Sequence, residues 1–389
     1  MKKEMTLVKE VAEKVEQAGG KMYFVGGFVR DRLLGKESKD IDVEVHGITE
    51  RQLVEILKTF GQVDLVGESF GVYLIKGVDI DFAMPRTERK TGDKHTDFDV
   101  TVDPFIGTYE ASKRRDFTMN AIMEDVMTGD VTDHFKGVED IQNRVIRLVD
   151  DVTFKEDALR VLRAIQFSAR FGFEIERDTQ EVMKEMELTH LAKERIYMEI
   201  EKGMTKGCPK KFITEMKKYP SILKILPSLE KVETENLLKE NDLTFNTVMM
   251  SLHMDESSFQ GCVHDMIQDK QGRNLASATR AFIQAIRKAK TAEDMALAVS
   301  LHRGFVEKQE GFINLNRSIL FDVETNSLFG QIVNQKNQVL FVINGDWLML
   351  LGVKPSPRFK QQLDEAHALS FLGFNENEIQ QHIFKGRSV

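Results

Sequence analysis

Two aspartates near the N-terminus, Asp40 and Asp42, have the spacing of a pair of metal ligands. They are separated by one apolar residue, in a run that alternates polar and apolar side chains as far as Val45. On a β-strand this alternation places both carboxylates on the same face. Paired carboxylates suit Mg²⁺, which assists phosphoryl transfer. The spacing therefore predicts a Mg²⁺ site at Asp40 and Asp42.

Two glycines, Gly26 and Gly27, precede this pair in the run VGGFVRD. Because neither has a Cβ atom, the backbone can turn sharply there and bring N–H groups close to an anion. A third carboxylate, Asp81, alternates in phase with Asp79 and is a candidate to face the first two from an adjacent strand. A solvated strand edge is the alternative interpretation of Asp81.

A second cluster is KRRDFTMNA, which begins at Lys113. Its adjacent arginines, the second of which is Arg115, offer forked donors to phosphate oxygens. Asp116 and Asn120 can accept from or donate to sugar hydroxyls. A surface salt-bridge patch is the alternative interpretation.

A third cluster is EDALRVLRA, in which Asp157 and Arg160 stand three residues apart on a predicted helix. On one helix face, such a pair presents an acceptor beside several donors. Cytosine and adenine each offer an NH₂ donor beside a ring-nitrogen acceptor, whereas uracil and guanine turn a carbonyl oxygen toward the carboxylate. The pair is therefore predicted to choose C and A, although such a pair is more often a simple ion pair.

The hydrophobic periodicity predicts an α+β fold, with a small mixed β-sheet and helices followed by a helical remainder from about residue 150. Strands are predicted at 21–25, 40–45, 62–66, 71–75, 79–84 and 338–343, and a long loop at 87–110. Helices are predicted at 5–19, 28–34, 49–59, 155–170, 179–186, 193–203, 209–218, 275–290 and 358–372.

Composition limits the class of protein. The chain has 389 residues and a net charge of −8, which argues against indiscriminate coating of nucleic acid but allows a segregated cationic surface. Two cysteines, Cys208 and Cys262, do not form a disulfide framework or a zinc pattern. The N-terminal residues do not resemble a signal peptide, and no apolar run approaches the roughly 18 residues of a membrane span. We therefore expect a cytoplasmic protein without a membrane partner.

The three clusters, in this order, resemble the class II tRNA nucleotidyltransferases, or CCA-adding enzymes, and the related bacterial poly(A) polymerases. Further motifs carry the same resemblance: DHFKGVEDIQNRVIRLV, EDALRVLRAIQFSARFGFEI and KERIYMEI. The likeness covers residues 21–203, and beyond them it rests on length and helical character. Gln166 departs from the family pattern, because it stands where the family commonly has an arginine. His264-Asp265 resembles part of a phosphohydrolase motif, but no further ligands are evident nearby, and we interpret it as an isolated dipeptide.

The resemblance implies a role for each site residue. It implies Mg²⁺ ligation by Asp40 and Asp42, with Asp81 at the third acidic position. It implies triphosphate binding by Gly27 and Arg30, with Gly26 among the nucleotide-binding residues, and phosphate and ribose binding by Arg115 and Asp116. It also implies base selection by Asp157 and Arg160, a further nucleotide contact by Arg163, and bracing of the helical neck by Glu194-Arg195.

The resemblance also implies the domains and the reaction. The expected parts are a nucleotidyltransferase head at 1–150, a neck at 151–205, a body at 206–330 and a tRNA-binding tail at 331–389. The implied reaction is template-independent addition of CCA to the 3′ end of tRNA from CTP and ATP, with release of pyrophosphate by two-metal phosphoryl transfer. The alternatives are an A-adding or CC-adding enzyme, a poly(A) polymerase, or a non-catalytic RNA-binding relative. The sequence does not specify the oligomeric state.

Overall fold

The computed structural model describes residues 2–38, 40–66, 71–90, 98–235, 237, 242–339 and 341–384. The chain divides into two compact units, Met1–Glu230 and Lys231–Val389. The division into head, neck, body and tail stays a prediction. Within the described residues, every helix is too short or too polar to traverse a lipid bilayer.

The first unit contains a mixed sheet. Its strands and those of two small ribbons are β1 (Lys21–Val25), β2 (Ile41–His46), β3 (Val63–Val66), β4 (Val72–Ile75), β5 (Ile80–Ala83), β6 (Arg86–Lys90), β7 (Phe98–Val102), β8 (Met123–Asp125), β9 (Val131–Thr132), β10 (Val145–Ile146) and β11 (Glu174–Ile175). The main sheet has the order β3-β4-β5-β2-β1-β8-β9. The parallel pair β2 and β5 lies inside it, and Asp42 is opposite Asp81 in their register.

The other elements of the first unit, and those of the described part of the second unit, are helices. In the first unit they are α1 (Lys2–Gln17), α2 (Gly27–Leu33), α3 (Glu50–Lys58), α4 (Gly107–Lys113), α5 (Gly137–Asn143), α6 (Asp151–Lys155), α7 (Leu159–Phe171), α8 (Arg177–Glu185), α9 (Lys193–Lys206), α10 (Pro209–Met216) and α11 (Pro220–Ile225). Later helices are α12 (Leu243–Ser251), α13 (Glu256–Met266), α14 (Lys270–Lys288), α15 (Ala292–Leu301), α16 (Arg303–Leu320), α17 (Val323–Lys336), α18 (Gly345–Leu350), α19 (Phe359–Phe371) and α20 (Glu376–Phe384). Short 3₁₀ helices lie at Thr118–Asn120 and Pro227–Lys231.

Local sequence accounts for the elements that carry the predicted site. The apolar residues of β2, including Val43 and Val45, are fully buried and anchor the strand in the core. Thr49 and Gln52 form a capping box that begins α3. Gly172 ends α7 in the left-handed conformation, with φ of 73°. The α+β fold class is therefore confirmed, and so are the predicted strands of the sheet and the helices that flank them.

Three predicted elements are wrong in part. The expected loop at 87–110 contains the β6–β7 hairpin and the start of α4, while residues 91–97 lie outside the described residues. The strand expected at 338–343 is not formed by the described residues of that stretch, because they have no partner strand and Ile343 packs against helical residues instead. The helix expected at 155–170 is broken at 156–158, between α6 and α7.

Close packing of α9 against α10 gives a stability prediction for Gly203→Ala. A Cβ added at Gly203 would lie 2.4–2.5 Å from ring atoms of Phe212, which is fully buried. We expect a loss of roughly 1–3 kcal/mol in the free energy of unfolding, measured by denaturant titration. The matched control is Gly261→Ala in α13, where a Cβ meets no atom within 4 Å and a gain of up to about 1 kcal/mol is expected. Equal effects of the two substitutions would contradict the prediction.

Candidate active site

A cleft of about 520 Å³ in the first unit collects most of the predicted site residues. Its lining includes all of the predicted metal-binding and nucleotide-binding residues except Asp81, namely Gly26, Gly27, Arg30, Asp40, Asp42, Arg115, Asp116, Asp157, Arg160 and Arg163. The three sequence clusters therefore line one cleft, although Gly26 and Arg163 are 137 residues apart along the chain.

The glycine turn approaches the paired carboxylates closely. Gly26 has a φ of 64°, in the left-handed region that favours glycine. A Cβ added there would lie 3.3 Å from Nη1 of Arg115 and 3.6 Å from Oδ2 of Asp42. A Cβ added at Gly27 would lie 3.4 Å from Nη2 of Arg30. Glycine at both positions thus leaves room between the turn and the charged groups.

The carboxylates form a region of concentrated negative charge at the start of β2. Asp40 is exposed just before the strand, and Asp42 is half-buried within it. Burial raises the pKa of Asp42, and the charges of Asp81 and Asp40 add to this increase against the opposing effect of Arg115. Partial burial and the charges of Asp79 and Asp40 raise the pKa of Asp81. A cation beside these groups would relieve the repulsion between them.

The oxygen donors fit a divalent cation that keeps some of its own waters. Within the described part of the chain, no group of three or more His, Cys, Asp and Glu side chains is arranged to hold a metal ion. Mg²⁺ is usually held by one or two carboxylates, with waters and substrate phosphates completing its coordination. Asp40 and Asp42 at the wall of an open cleft match that pattern.

Arg30 contributes a fixed positive charge close to Gly27 of the glycine turn. Only 4% of the residue is exposed, and its guanidinium donates to Asp31 at 2.8 Å and to Asn120 at 2.7 Å. The rings of Phe167 and Phe171 lie 5.2 and 4.7 Å from its central carbon. Arg30 therefore lines the cleft in a fixed position, and its contact with a triphosphate stays a prediction.

Asp116 holds Arg163 in place. The carboxylate accepts from Nε and Nη2 of Arg163 at 2.8 and 2.6 Å, and from Asn120 at 2.9 Å. Burial works to raise the pKa of Asp116, but Arg163, Asn120 and Arg160 outweigh it and lower the pKa. Both carboxylate oxygens are therefore engaged within the protein, and the predicted contact of Asp116 with a ribose is untested.

Asp157 and Arg160, predicted to read the base together, are held by different partners, and the hydrogen bonds of these two described residues do not include the alternative of a simple ion pair between them. Asp157 precedes α7, where it accepts from the backbone N–H of Leu159 at 3.1 Å and from Nη2 of Arg195 at 2.8 Å. Arg160 donates to the backbone oxygens of Thr153 at 2.9 Å and Arg114 at 2.8 Å. Both side chains line the same cleft, where each is held by a different partner.

Cations outnumber acids strongly in the cleft. Ten arginines and lysines line it, against four aspartates. Besides those already described, they include Arg86, Arg170, Lys202 and Lys206. Because the whole chain carries a net charge of −8, this cleft concentrates positive charge far beyond the average of the surface. Such a site favours a ligand with several negative charges.

Sequence reasoning missed two buried residues behind the site, Glu44 and His46. Glu44 is fully buried and accepts from Arg114, Arg115 and His46. Burial alone would raise the pKa of Glu44, but the hydrogen bond from His46 and the charges of Arg115 and Arg114 lower it to about 2. The available signal was its alternation in phase with Asp40 and Asp42.

Gln166, which departs from the family pattern, also lines the cleft. It is 2% exposed, and its Nε2 atom finds no acceptor among the described residues.

Family models match two parts of the chain. Residues 22–147 match the model described as "Poly A polymerase head domain", and residues 172–232 match the model described as "Probable RNA and SrmB- binding site of polymerase A". A Multifunctional CCA protein from Nitrosomonas europaea is 31% identical over 313 residues, which cover 74% of each chain. The chain belongs to the class II CCA-adding enzyme family. The resemblance inferred from the motifs is thereby confirmed.

Other members of the CCA-adding enzyme family match over different extents. A Multifunctional CCA protein from Stenotrophomonas maltophilia is 40% identical over 217 residues, 54% of this chain, and the match spans only 52% of that protein. The chain therefore aligns with about half the length of this relative.

Solved structures of CCA-adding enzymes share the fold. One is the Thermotoga maritima CCA-adding enzyme complexed with tRNA, with a TM-score of 0.72, 23% identity and coverage of 98% of this chain and 95% of that chain. Another is the Bacillus stearothermophilus CCA-adding enzyme in complex with CTP, with a TM-score of 0.69, 24% identity and coverage of 99% and 98%.

Proposed function

We propose that this protein adds C, C and A to the 3′ end of tRNA, using CTP and ATP without a template and releasing pyrophosphate. The observation that carries the proposal is the meeting of Asp40, Asp42, Arg115, Asp157 and Arg160 in one cationic cleft. That cleft offers carboxylates for a metal ion, cations for a triphosphate and a separate acceptor–donor array for a base. Relatives named as CCA proteins support the same reaction.

In this proposal, Asp157 and Arg160 bind the Watson–Crick edge of the incoming base. The carboxylate accepts from the exocyclic NH₂ of C or A, and the guanidinium donates to the adjacent ring nitrogen. Arg115 and Arg163 neutralise charge on the phosphates, as do fixed cations in other phosphoryl-transfer sites. Because the site is held by internal hydrogen bonds, these groups need little rearrangement when the nucleotide binds.

Asp40 and Asp42 would hold Mg²⁺, with Asp81 as a further acidic group near them. When bound, Mg²⁺ supplies charge neutralisation at the triphosphate and favours ionisation of the 3′-hydroxyl of the primer. Gly26 and Gly27 keep the neighbouring space open, since side chains there would crowd Arg115 and Arg30.

The RNA partner is proposed from the remaining cations of the cleft. Arg170 on α7, together with Lys202 and Lys206 on α9, extends the positive charge beyond the base-reading pair. Phosphates of the tRNA 3′ end are suitable partners for these side chains. The helical second unit would hold the rest of the tRNA, because A-form RNA is recognised mainly through shape, phosphates and 2′-hydroxyls. A cytoplasmic location, where tRNA, CTP and ATP are found, belongs to the same proposal.

The test is incorporation of labelled nucleotides into tRNA that lacks its CCA end, with CTP alone, ATP alone or both. The expected result is addition of two C residues from CTP alone and of a complete CCA when both nucleotides are present. Chelation of divalent cations should stop both reactions. Addition of A only, addition of C only, or long A tails on generic RNA would each identify one of the alternative enzymes. RNA binding without incorporation would overturn the proposed activity.

A further inference from the structure

We propose that Glu44 is a positioning residue that fixes Arg115 beside the paired carboxylates, with one edge of its guanidinium presented to the triphosphate of the incoming nucleotide. This inference rests on the proposed function and identifies the residue that holds the triphosphate-binding arginine in position. Glu44 is on β2, two residues after Asp42, and is absent from the roles implied by the family motifs.

Glu44 is too deeply buried to contact a substrate directly. Its side chain is fully buried, and both carboxylate oxygens are occupied. Oε1 accepts from Nε2 of His46 at 2.9 Å, while Oε2 accepts from Nη2 of Arg114 at 3.2 Å and Nη2 of Arg115 at 3.1 Å. A buried carboxylate is costly unless cations and hydrogen bonds compensate it. Glu44 therefore acts through the groups that it holds.

Arg115 connects this buried carboxylate to the open site. One of its terminal nitrogens, Nη2, is bonded to Glu44. The other, Nη1, lies 3.3 Å from the position that a Cβ of Gly26 would take, and Oδ2 of Asp42 lies 3.6 Å from that same position. The planar guanidinium thus spans from the core of the sheet to the glycine turn. Because its donors form a rigid fork, fixing one nitrogen also fixes the direction of the other.

The charge balance behind the sheet explains why a carboxylate is needed. Two guanidinium groups, those of Arg114 and Arg115, converge on one oxygen of Glu44. In Glu44→Gln, the two guanidinium groups lose the negative charge that they share. The NH₂ group of the new amide must also face either His46 or the arginines, and the arginines are donors that cannot accept from it. Arg115 would then be free to leave its position and to pair with the carboxylates of the cleft.

The base-reading side of the cleft is anchored differently. Arg160 donates to the backbone oxygens of Thr153 and Arg114, and Asp157 is bonded to Arg195. None of these hydrogen bonds uses the side chain of Glu44. Loss of Glu44 should therefore weaken binding of the triphosphate while the choice between C and U is retained.

The test is a double-mutant cycle on the full-length protein with Glu44→Gln, Arg115→Ala and the combined variant. The measured quantity is the Kd of inorganic tripolyphosphate in the presence of Mg²⁺, determined by calorimetry. We expect each single substitution to raise the Kd by about tenfold or more, in line with the loss of a charge-assisted hydrogen bond. In the Arg115→Ala background, Glu44→Gln should raise the Kd little further, because the effects of substitutions at two residues in direct contact are not additive.

Two results would overturn the inference. One is an unchanged tripolyphosphate Kd in Glu44→Gln, and the other is a Glu44→Gln effect of equal size in the presence and absence of Arg115. A purely structural role predicts the second result. With CTP as substrate, the variant should show a raised KM and an unchanged preference for CTP over UTP, and a loss of that preference would also count against the inference.

A folding defect in Glu44→Gln is addressed by a second background. Adding Arg114→Gln removes one of the two guanidinium groups that converge on this position, which reduces the excess positive charge, and the same cycle with Arg115→Ala is repeated there. Failure of the proposed function is separately visible, since tripolyphosphate binding requires neither RNA nor transfer. If the two substitutions are coupled but the protein adds no nucleotides to tRNA, only the proposed function is overturned. If the protein adds nucleotides but the two substitutions have additive effects on the Kd, only this inference is overturned.

Discussion

Replacing Asp42 with asparagine is expected to lower the rate of CMP incorporation into tRNA lacking CCA by at least about a thousandfold. The substitution keeps the shape of the side chain and removes the charge that a divalent cation requires. Metal ions in phosphoryl-transfer sites are worth several kcal/mol of transition-state stabilisation, and about 4 kcal/mol corresponds to a thousandfold change in rate. The measurement is single-turnover incorporation of labelled CTP at saturating Mg²⁺.

The matched control for Asp42→Asn is Asp64→Asn. Asp64 is an exposed aspartate on β3 of the same sheet and does not line the cleft. We expect this variant to incorporate CTP at a rate close to that of the unaltered protein. Asp42→Asn activity within tenfold of the control would show that the carboxylate pair is not the metal site.

Replacing Arg160 with alanine is expected to reduce the preference for CTP over UTP by at least about a hundredfold. A site built to hydrogen-bond a substrate rejects analogues with the wrong donors and acceptors by large factors, because polar groups of the site are then left unpaired. Without Arg160, the ring nitrogen of the base has no donor, so Asp157 alone must discriminate. The measurement is the ratio of kcat/KM for CTP and UTP.

Arg160→Lys and Arg177→Ala complete the Arg160 experiment. Lysine keeps the positive charge without the fork that reaches two backbone oxygens, so we expect an intermediate loss of selectivity. Arg177 is an exposed arginine on α8 outside the cleft, and its removal should leave the ratio unchanged. Unchanged selectivity in Arg160→Ala would remove the assignment of base reading to this residue.

Short-range patterns in the sequence were sufficient for the local structure of the site. The glycine run predicted the turn at Gly26, and polar–apolar alternation predicted the strand that carries Asp42. Both features depend on neighbouring residues only, through backbone freedom and the two-residue repeat of a strand. That the distant clusters serve one nucleotide site was implied only by the resemblance to the family, not by these local patterns.

Long-range pairing was not predictable from the same patterns. Glu44 and Arg115 are 71 residues apart, and Asp157 and Arg195 are 38 residues apart, so spacing gives no information about either contact. The prediction for Asp157 and Arg160 assumed one continuous helix. The side chain of Asp157 instead accepts from the backbone of Leu159, a local hydrogen bond that competes with helix formation and favours the break before α7.

Two other errors have simple physical causes. Strand β6 (Arg86–Lys90) consists of charged and polar residues only and lacks the apolar alternation that indicates a strand, whereas β7 (Phe98–Val102) does alternate and was predictable from its sequence. The apolar stretch at 338–343 has the composition of a strand, but composition cannot supply a neighbouring strand with which to pair. Ile343 is buried among helical side chains instead.

The unequal distribution of charge has a consequence for how a nucleic acid would find the protein. The chain has a net charge of −8, whereas ten arginines and lysines against four aspartates line this one cleft, so RNA is attracted to the cleft more strongly than to an average part of the surface. The positive charge of the cleft steers an approaching polyanion toward it, and this steering weakens as salt screens the field. Added salt should therefore slow capture of the RNA terminus more than it slows the transfer step that follows.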